Sequence, residues 1–422
     1  MSEAPAATRS LGTVGLATLL AAGLGYPLLM VTARVFTTAD NEVFLTFWGL
    51  VFGAGSALSP VEQEVSRQAA LADVAGRRSG FGAVQVVAVC AVAAVLLGVT
   101  VSLPPVADRL FGDGGGTIAL VAAAAVIGFA FQFGLRGLLI GHHRVKPYSG
   151  LVVTEALLRA VLLGALVVAG VTGLLPLTVA VAVGSFAWLV FAWRGRSLVD
   201  LRSGDREPWG VVARRMFVLV LSAGLTASVL TGYPAIARLF QPPEESGALA
   251  AMFLTLTVAR LPLLLLSPVQ AMAVPAVVRL SVDEGGRRRL RALLAKGAAV
   301  AVGVAGAGAA LGALLGPWAI GFVFGSDYAV ESWVVAALVW SSVLLGAVML
   351  LAAVLVARKH LGALVSLWAV VAALSVLVLW LSPGDIVVRA VLGLVVAPTA
   401  GLALGAWLVL RERAGGTSHE GR

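Results

Sequence analysis

Twelve apolar runs, each about 20 residues or longer, fill the chain between residues 11 and 410. A helix needs about 20 such residues to cross a hydrocarbon layer roughly 30 Å thick. Within lipid the backbone must satisfy its own hydrogen bonds, which leaves helices or a closed barrel. The runs lie at about 11–35, 43–66, 81–104, 116–139, 148–171, 174–193, 214–237, 247–278, 297–318, 332–356, 361–381 and 386–410. Hydrophobic residues make up 60% of the chain and charged residues 12%, about half the charge of an ordinary soluble domain. The expected fold is therefore an all-α polytopic membrane protein of about 12 transmembrane helices. The run at 11–35 follows a weakly basic start (Arg9) and is too long for the apolar core of a signal peptide, so it is taken as the first span.

Basic residues assign the sides. With the N-terminus on the cytoplasmic face, 24 of the 30 lysines and arginines fall on cytoplasmic segments. Four lie on the outer side (Arg34, Arg109, Arg238 and Arg389) and two inside the membrane (Arg159 and Arg260). That asymmetry predicts cytoplasmic N- and C-termini. Only Lys146, Lys296 and Lys359 among the 30 are lysines. Together with the alanine, valine, glycine and leucine bias, this points to a GC-rich bacterial genome and so to a bacterial cytoplasmic membrane.

The chain also repeats itself. ARVF at Ala33 and SPV at Ser59 return as ARLF at Ala237 and SPV at Ser267. DVAGRR at Asp73 returns as DEGGRR at Asp283, and FGD at Phe111 as FGSD at Phe324. The order is kept, and each match falls on the equivalent part of a six-span unit. An even span count gives both copies the same orientation, hence two parallel six-helix lobes flanking a central cavity. The expected division is 1–194 for the first lobe, 195–212 for a polar cytoplasmic linker, 213–410 for the second lobe and 411–422 for a cytoplasmic tail.

Several chemistries have no carrier in the sequence. There is no GxxxxGK[ST] phosphate loop, no Cys/His cluster at metal spacing, no GxSxG and no large extramembrane segment. No enzymatic activity and no metal site are expected. His142, His143, His360 and His419 read as loop or tail charge, and the lone Cys90 as a core thiol. Pro104, Pro105 and Pro317 are expected at helix ends.

Ionisable groups within the spans cost several kcal/mol unless paired or hydrated, so they are the candidate functional residues. Arg260 lies thirteen residues into the eighth span, about 20 Å deep at about 1.5 Å per residue. Pro262, Pro268 and Pro275 follow it and should kink that helix. A cation at that depth suits an anion-binding cavity. Glu155 and Arg159 stand one turn apart in the fifth span and should pair, with Glu155 also a candidate for ion or proton coupling and Arg159 for substrate binding. Glu62 and Glu64 follow Pro60 near the cytoplasmic end of the second span. The second copy has Gln270 and Met272 there, so the two acids are candidate coupling or gating residues. Arg34 and Arg238 occupy equivalent outer positions and suit either interface anchors or a cationic vestibule.

ARVF with its acidic loop, FLTFWGLVFG, SPVEQEVSR and the second-lobe run TVARLPLLLLSPVQ resemble the polysaccharide-type (Wzx-like) flippases of the multidrug/oligosaccharidyl-lipid/polysaccharide (MOP) exporter superfamily. LFGD from Leu110 and VFGSD from Val323 fit the same pattern. The resemblance covers nearly the whole chain. It implies alternating-access transfer of a polyprenyl-pyrophosphate-linked oligosaccharide to the outer leaflet, with Arg260 as a cavity arginine. It also implies no cofactor beyond a coupling proton or sodium ion, no nucleic-acid partner, contact with membrane lipids, a monomer, and polysaccharide polymerase or glycosyltransferases as partners. Two alternatives stay open. One is a small-molecule exporter, either of the drug-exporting (MATE-like) branch or like the major facilitators, whose loop after span two Asp73 and Asp283 resemble. The other is a membrane-embedded glycosyltransferase using Asp40 and Glu42 in the first outer loop.

Overall fold

The computed structural model describes residues 4–202, 207–265, 284–358 and 360–411. Sixteen α-helices carry those residues: α1 (Ala4–Val35), α2 (Thr38–Ala57), α3 (Ser59–Val74), α4 (Phe81–Ser102), α5 (Pro104–Phe111), α6 (Gly116–Gly141), α7 (Val145–Val168), α8 (Leu174–Val183), α9 (Trp188–Arg196), α10 (Trp209–Leu230), α11 (Tyr233–Leu239), α12 (Ala248–Ala259), α13 (Glu284–Phe324), α14 (Ser332–Ala357), α15 (Leu361–Leu381) and α16 (Ile386–Arg411). Eleven stretches are long and apolar enough to span a membrane when α2 with α3, and α8 with α9, are each taken as one span. A shorter apolar helix covers Ala248–Leu263. Eleven of the twelve expected runs thus meet helix of membrane length, the described part of the eighth, 247–265, holds the shorter one, and the chain is a polytopic membrane protein.

Local chemistry explains several boundaries. Thr37 caps α2: its Oγ1 accepts from the Asp40 amide at 3.2 Å and donates to Asp40 Oδ2 at 2.8 Å, satisfying one of the helix's open amides. Asp40 and Glu42 therefore belong to the first turns of α2 and not to an outer loop. The span breaks at Leu58, because Pro60 in the first turn of α3 has no amide hydrogen to continue the ladder. The run expected at 214–237 starts earlier, at Trp209, and breaks after Leu230 before resuming at Tyr233. Pro317 lies inside the 41-residue helix α13, not at an end. The repeat holds locally: ARVF and ARLF both close a helix (α1 and α11), and both FGD-type motifs follow a helix end with a glycine at positive φ, Gly112 at 81° and Gly325 at 118°. Ser267, Pro268, Gln270, Met272, Pro275 and Asp283 lie outside the described residues.

By packing, the chain divides into two compact units, Met1–Leu239 and Phe240–Arg422. In the first, α10 and α11 pack on α2, so this unit extends beyond the linker. Its hub is α6, which touches α2, α3, α4, α5, α7, α8 and α9. Small residues make that possible. A methyl built on Gly137 would stand 2.7 Å from the Glu62 carbonyl oxygen, and one on Gly141 would stand 2.5 Å from Ala69 Cβ. The glycines let α3 lie against the α6 backbone, the close approach that small residues provide between membrane helices. Replacing Gly141 by valine is expected to cost about 1–3 kcal/mol through overpacking, read as a lower unfolding midpoint in detergent; an unchanged midpoint would show that α3 yields freely. In the second unit α13 and α16 pack on α14, α15 packs on α16, and Ser341 Oγ donates to the Leu394 carbonyl at 2.7 Å. Cys90 is buried in α4 with its thiol free.

Candidate functional site

The spans of the first unit enclose a polar cluster built from three helices. Gln132 and Arg136 stand one turn apart on α6, Glu155 and Arg159 one turn apart on α7, and Glu62 comes from α3. Glu155, 7% exposed, accepts from Gln132 Nε2, Arg136 Nη2 and Arg159 Nη2. Three donors, two of them cationic, are what a carboxylate needs to remain charged away from water. The expected pairing of Glu155 with Arg159 is present, but it is only part of the arrangement.

Arg159 is held on every side. Its guanidinium lies over the rings of Phe52 at 4.6 Å and Phe129 at 5.6 Å, contacts that favour a desolvated cation. Its Nε donates to the Val181 carbonyl at 3.3 Å. It also runs across Gly184, where a Cβ would stand 2.4 Å from Arg159 Nε. There the eighth-to-ninth helix path passes through a 3-10 turn, Gly184–Phe186. Arg159 thus ties α7 to the break between α8 and α9.

Glu62 forms the outer part of the cluster. Its Oε1 accepts from Tyr148 Oη at 2.8 Å, and its Oε2 stands 4.0 Å from Arg136 Nη1. Arg136 therefore lies between two carboxylates, tightly held by Glu155 and loosely by Glu62. Among the described residues Arg136 Nε and Gln132 Oε1 are buried without a hydrogen-bond partner. Glu64, two residues from Glu62, points to another side of α3. It accepts from Arg67 Nε at 2.9 Å and Nη2 at 2.8 Å and from Gln68 at 2.9 Å, and lies 3.2 Å from Arg215 of α10. Arg215 also reaches Glu207 with both terminal nitrogens, at 2.8 and 3.1 Å.

The remaining candidates sit elsewhere. Arg238 on α11 is 9% exposed and donates to Glu42, which is fully buried in α2. Glu42 precedes Glu62 by 20 residues, about 30 Å along helix, so this pair marks the opposite end of the span. Arg34 is exposed at the end of α1, so the two arginines that match by repeat differ in burial. In the second unit Arg260 is half-buried and forms the C-cap of α12. The helix ends there, and a 3-10 turn, Leu261–Leu265, follows. A cation suits the partial negative charge of a helix C-terminus. A cavity of about 540 Å³ in this unit is lined by Glu244, Glu245, Glu331 and Asp385 together with Met252 and Trp333.

Sequence reasoning missed Arg136, Gln132 and Tyr148 as site residues, and it placed Glu42 in an outer loop as a candidate acid, not as the buried partner of Arg238. Arg136 was assigned to a cytoplasmic segment, although Gln132 and Arg136 interrupt an apolar run at one-turn spacing, as Glu155 and Arg159 do. His142, expected as loop charge, is buried: its ring nitrogens meet Ser79 Oγ at 2.9 Å and Asp73 Oδ1 at 3.0 Å. Ser79 is bonded on both backbone sides to the segment after α9, from its amide to Leu198 O and from Asp200 N to its carbonyl, each at 2.9 Å. These contacts pin the α3–α4 loop to the start of the linker. No group of three or more potential metal ligands exists among the described residues.

No family model matches the sequence. The chain is 30% identical over 410 residues to the uncharacterized protein Rv1510 of Mycobacterium tuberculosis, covering 95% of this chain and 91% of that one. It is 29% identical over 418 residues to Rv3630 of the same organism, covering 94% and 91%. Among solved structures, the lipid II flippase MurJ in an inward closed conformation aligns with a TM-score of 0.64 at 12% identity, over 94% of this chain and 86% of that one. The Vibrio cholerae MATE transporter VcmN aligns at 0.60 with 15% identity, over 98% of both chains. A MOP superfamily transporter from Pyrococcus furiosus aligns at 0.55 with 17% identity, over 95% of both. With its spans in helix and its fold matched end to end, the chain is a multi-pass membrane protein with the fold of MOP-superfamily transporters, and it belongs to the family of the mycobacterial protein Rv1510.

Proposed function

We propose that this protein is a non-enzymatic flippase of the bacterial cytoplasmic membrane that moves a polyprenyl-pyrophosphate-linked oligosaccharide to the outer leaflet by alternating access. The observation that carries the reading is Arg260, a half-buried arginine at a helix break within a MOP fold. Arg260 offers charge-assisted hydrogen bonds to phosphate oxygens in low dielectric, its full charge outweighing the partial negative charge of the helix end it caps. Arg159 and Arg238 are already committed to Glu155 and Glu42, so they shape the path more than they contact the headgroup. Arg34 meets substrate only at the mouth. Glu62, held by a tyrosine hydroxyl and loosely by Arg136, is the coupling or gating group, through a proton or sodium ion; Glu155 and Glu64 hold the arginines around it.

Arg260→Ala is expected to lower export by about 10-fold or more, since a hydrogen bond to a charged group is worth about 1.5–3 kcal/mol. In cells this reads as loss of surface saccharide with accumulation of lipid-linked precursor, and Arg260→Lys should restore part of it. Unchanged precursor and surface levels would remove Arg260 from the mechanism. If deletion of the gene instead alters susceptibility to cationic compounds and leaves the envelope saccharides intact, small-molecule export replaces this reading.

A further inference from the structure

A second feature of the first unit lies on its outer surface, away from the polar cluster. A groove of about 300 Å³ runs between α4, α6 and α9. Val84, Phe131, Leu138, Trp188 and Ala192 line it, and the one charged lining residue is Arg196 at the arginine-rich end of α9. Phe131 and Trp188 stack at 5.4 Å between centroids and close the far end. Arg196 is exposed and joins no ion pair among the described residues. The groove carries no acidic lining residue.

The groove opens on an apolar surface of membrane-length helices: Phe131 is 40% exposed, and Leu189, Val190 and Trp193 on α9 are more exposed still. The partner that reaches such a groove from within a bilayer is a lipid tail. Burial of that tail does not discriminate among lipids, because every tail leaves an equally apolar medium. Selection has to come from the charged end, where the Arg196 guanidinium attracts an anionic headgroup. The dimensions agree. Arg196 and Trp188 are eight residues apart, about 12 Å along the helix, so a phosphate at Arg196 lays one acyl chain past Ala192 onto the Trp188–Phe131 stack.

We infer that this groove is a binding site for one anionic phospholipid, with its phosphate on Arg196 and one acyl chain along α6 and α9. The site does not depend on the identity of the transported substrate. The test uses the full chain in nanodiscs containing phosphatidylglycerol with a diazirine near the end of one acyl chain, or the same probe on phosphatidylcholine. After illumination, peptides around Phe131 and Trp188 are expected to carry the phosphatidylglycerol label above all other lipid-facing peptides. Arg196→Gln should lower that label about fivefold and leave the phosphatidylcholine label unchanged. Ala192→Trp fills the groove and should remove both labels there; Ala192→Leu serves if the tryptophan variant unfolds. Equal labelling by the two probes, labelling spread evenly around the helices, or an unchanged pattern in Arg196→Gln would overturn the proposal. Displacement of the label by polyprenyl phosphate but not by unlabelled phosphatidylglycerol would overturn it too, by assigning the groove to a different lipid.

Discussion

Replacing Glu155 by alanine is expected to cost about 3–5 kcal/mol, the usual penalty for removing one partner of a buried ion pair. The side chain itself offers little apolar area, so burial does not set the size of the effect. What sets it is the pair of guanidiniums left behind. Arg136 and Arg159 both donate to Glu155, and Arg159 is enclosed by Phe52, Phe129 and the backbone at Gly184. Arg159 cannot turn to water without parting α7 from the α8–α9 break, and the half-buried Arg136 is left with its loose carboxylate contact to Glu62 at 4.0 Å. Thermal or denaturant unfolding of the purified protein in detergent measures the loss. Glu155→Gln keeps hydrogen-bonding capacity and should lose less. The combined change Glu155→Leu, Arg159→Leu and Arg136→Leu should recover much of the stability, because a buried charge cluster replaced by apolar groups is often neutral. A single Glu155→Ala variant as stable as the parent would mean that water or another group already neutralises these arginines.

The second large effect concerns Glu42 and Arg238. Glu42 is fully buried and receives the Arg238 guanidinium across α2 and α11. Arg238→Leu leaves a carboxylate with no access to solvent, and about 3–5 kcal/mol of destabilisation is expected. Glu42→Leu removes one partner of an arginine that is 9% exposed. Its long stem lets the charge move toward the surface, so the loss should be smaller. The double variant should be more stable than either single one. A double-mutant cycle gives the coupling, expected to reach the upper part of the 0.5–3 kcal/mol range seen for contacting residues. Additive losses would show that the pair is not energetically coupled. The outcome also bears on function: if Arg238→Leu abolishes export while the double variant restores both stability and export, the arginine serves the scaffold and not the substrate.

These two pairs differ in how far they could be foreseen. Glu155 and Arg159 lie four residues apart in one apolar run, and a helix brings such positions together by its own geometry. Their partners Gln132 and Arg136 show the same spacing in another run, yet nothing local says that the two runs face each other. Glu42 and Arg238 are 196 residues apart. A repeat argument placed Arg238 beside Arg34 as an equivalent, and equivalence in sequence does not convey which of two copies meets an acid. His142 makes the same point at the membrane edge. Arg144 and Lys146 near it suggest a solvated loop, whereas the fold turns its ring inward onto Ser79 and Asp73.

The run expected at 43–66 carried no break, although Pro60 enforces one after Leu58. The breaks at Gly184 and after Leu230, the latter followed by Pro234 in the first turn of α11, were likewise not expected. A neighbour shapes each place: Arg159 lies across Gly184, and Gly53 of α2 approaches the backbone of Gly232 so closely that a Cβ would stand 2.8 Å away. Pro317 shows the reverse, a proline carried within a long helix.

What the sequence by itself determined is the class of the molecule. Apolar runs of membrane length leave the backbone little choice but helix, and an ordered repeat of six such runs leaves few folds. That determination is strong because it rests on the solvent and on local hydrogen bonding. Tertiary structure alone decided which further charges join the Glu155–Arg159 pair, which arginine stays at the surface and which acid Arg238 meets. Those outcomes turn on contacts between residues tens or hundreds of positions apart, and no spacing along the chain encodes them.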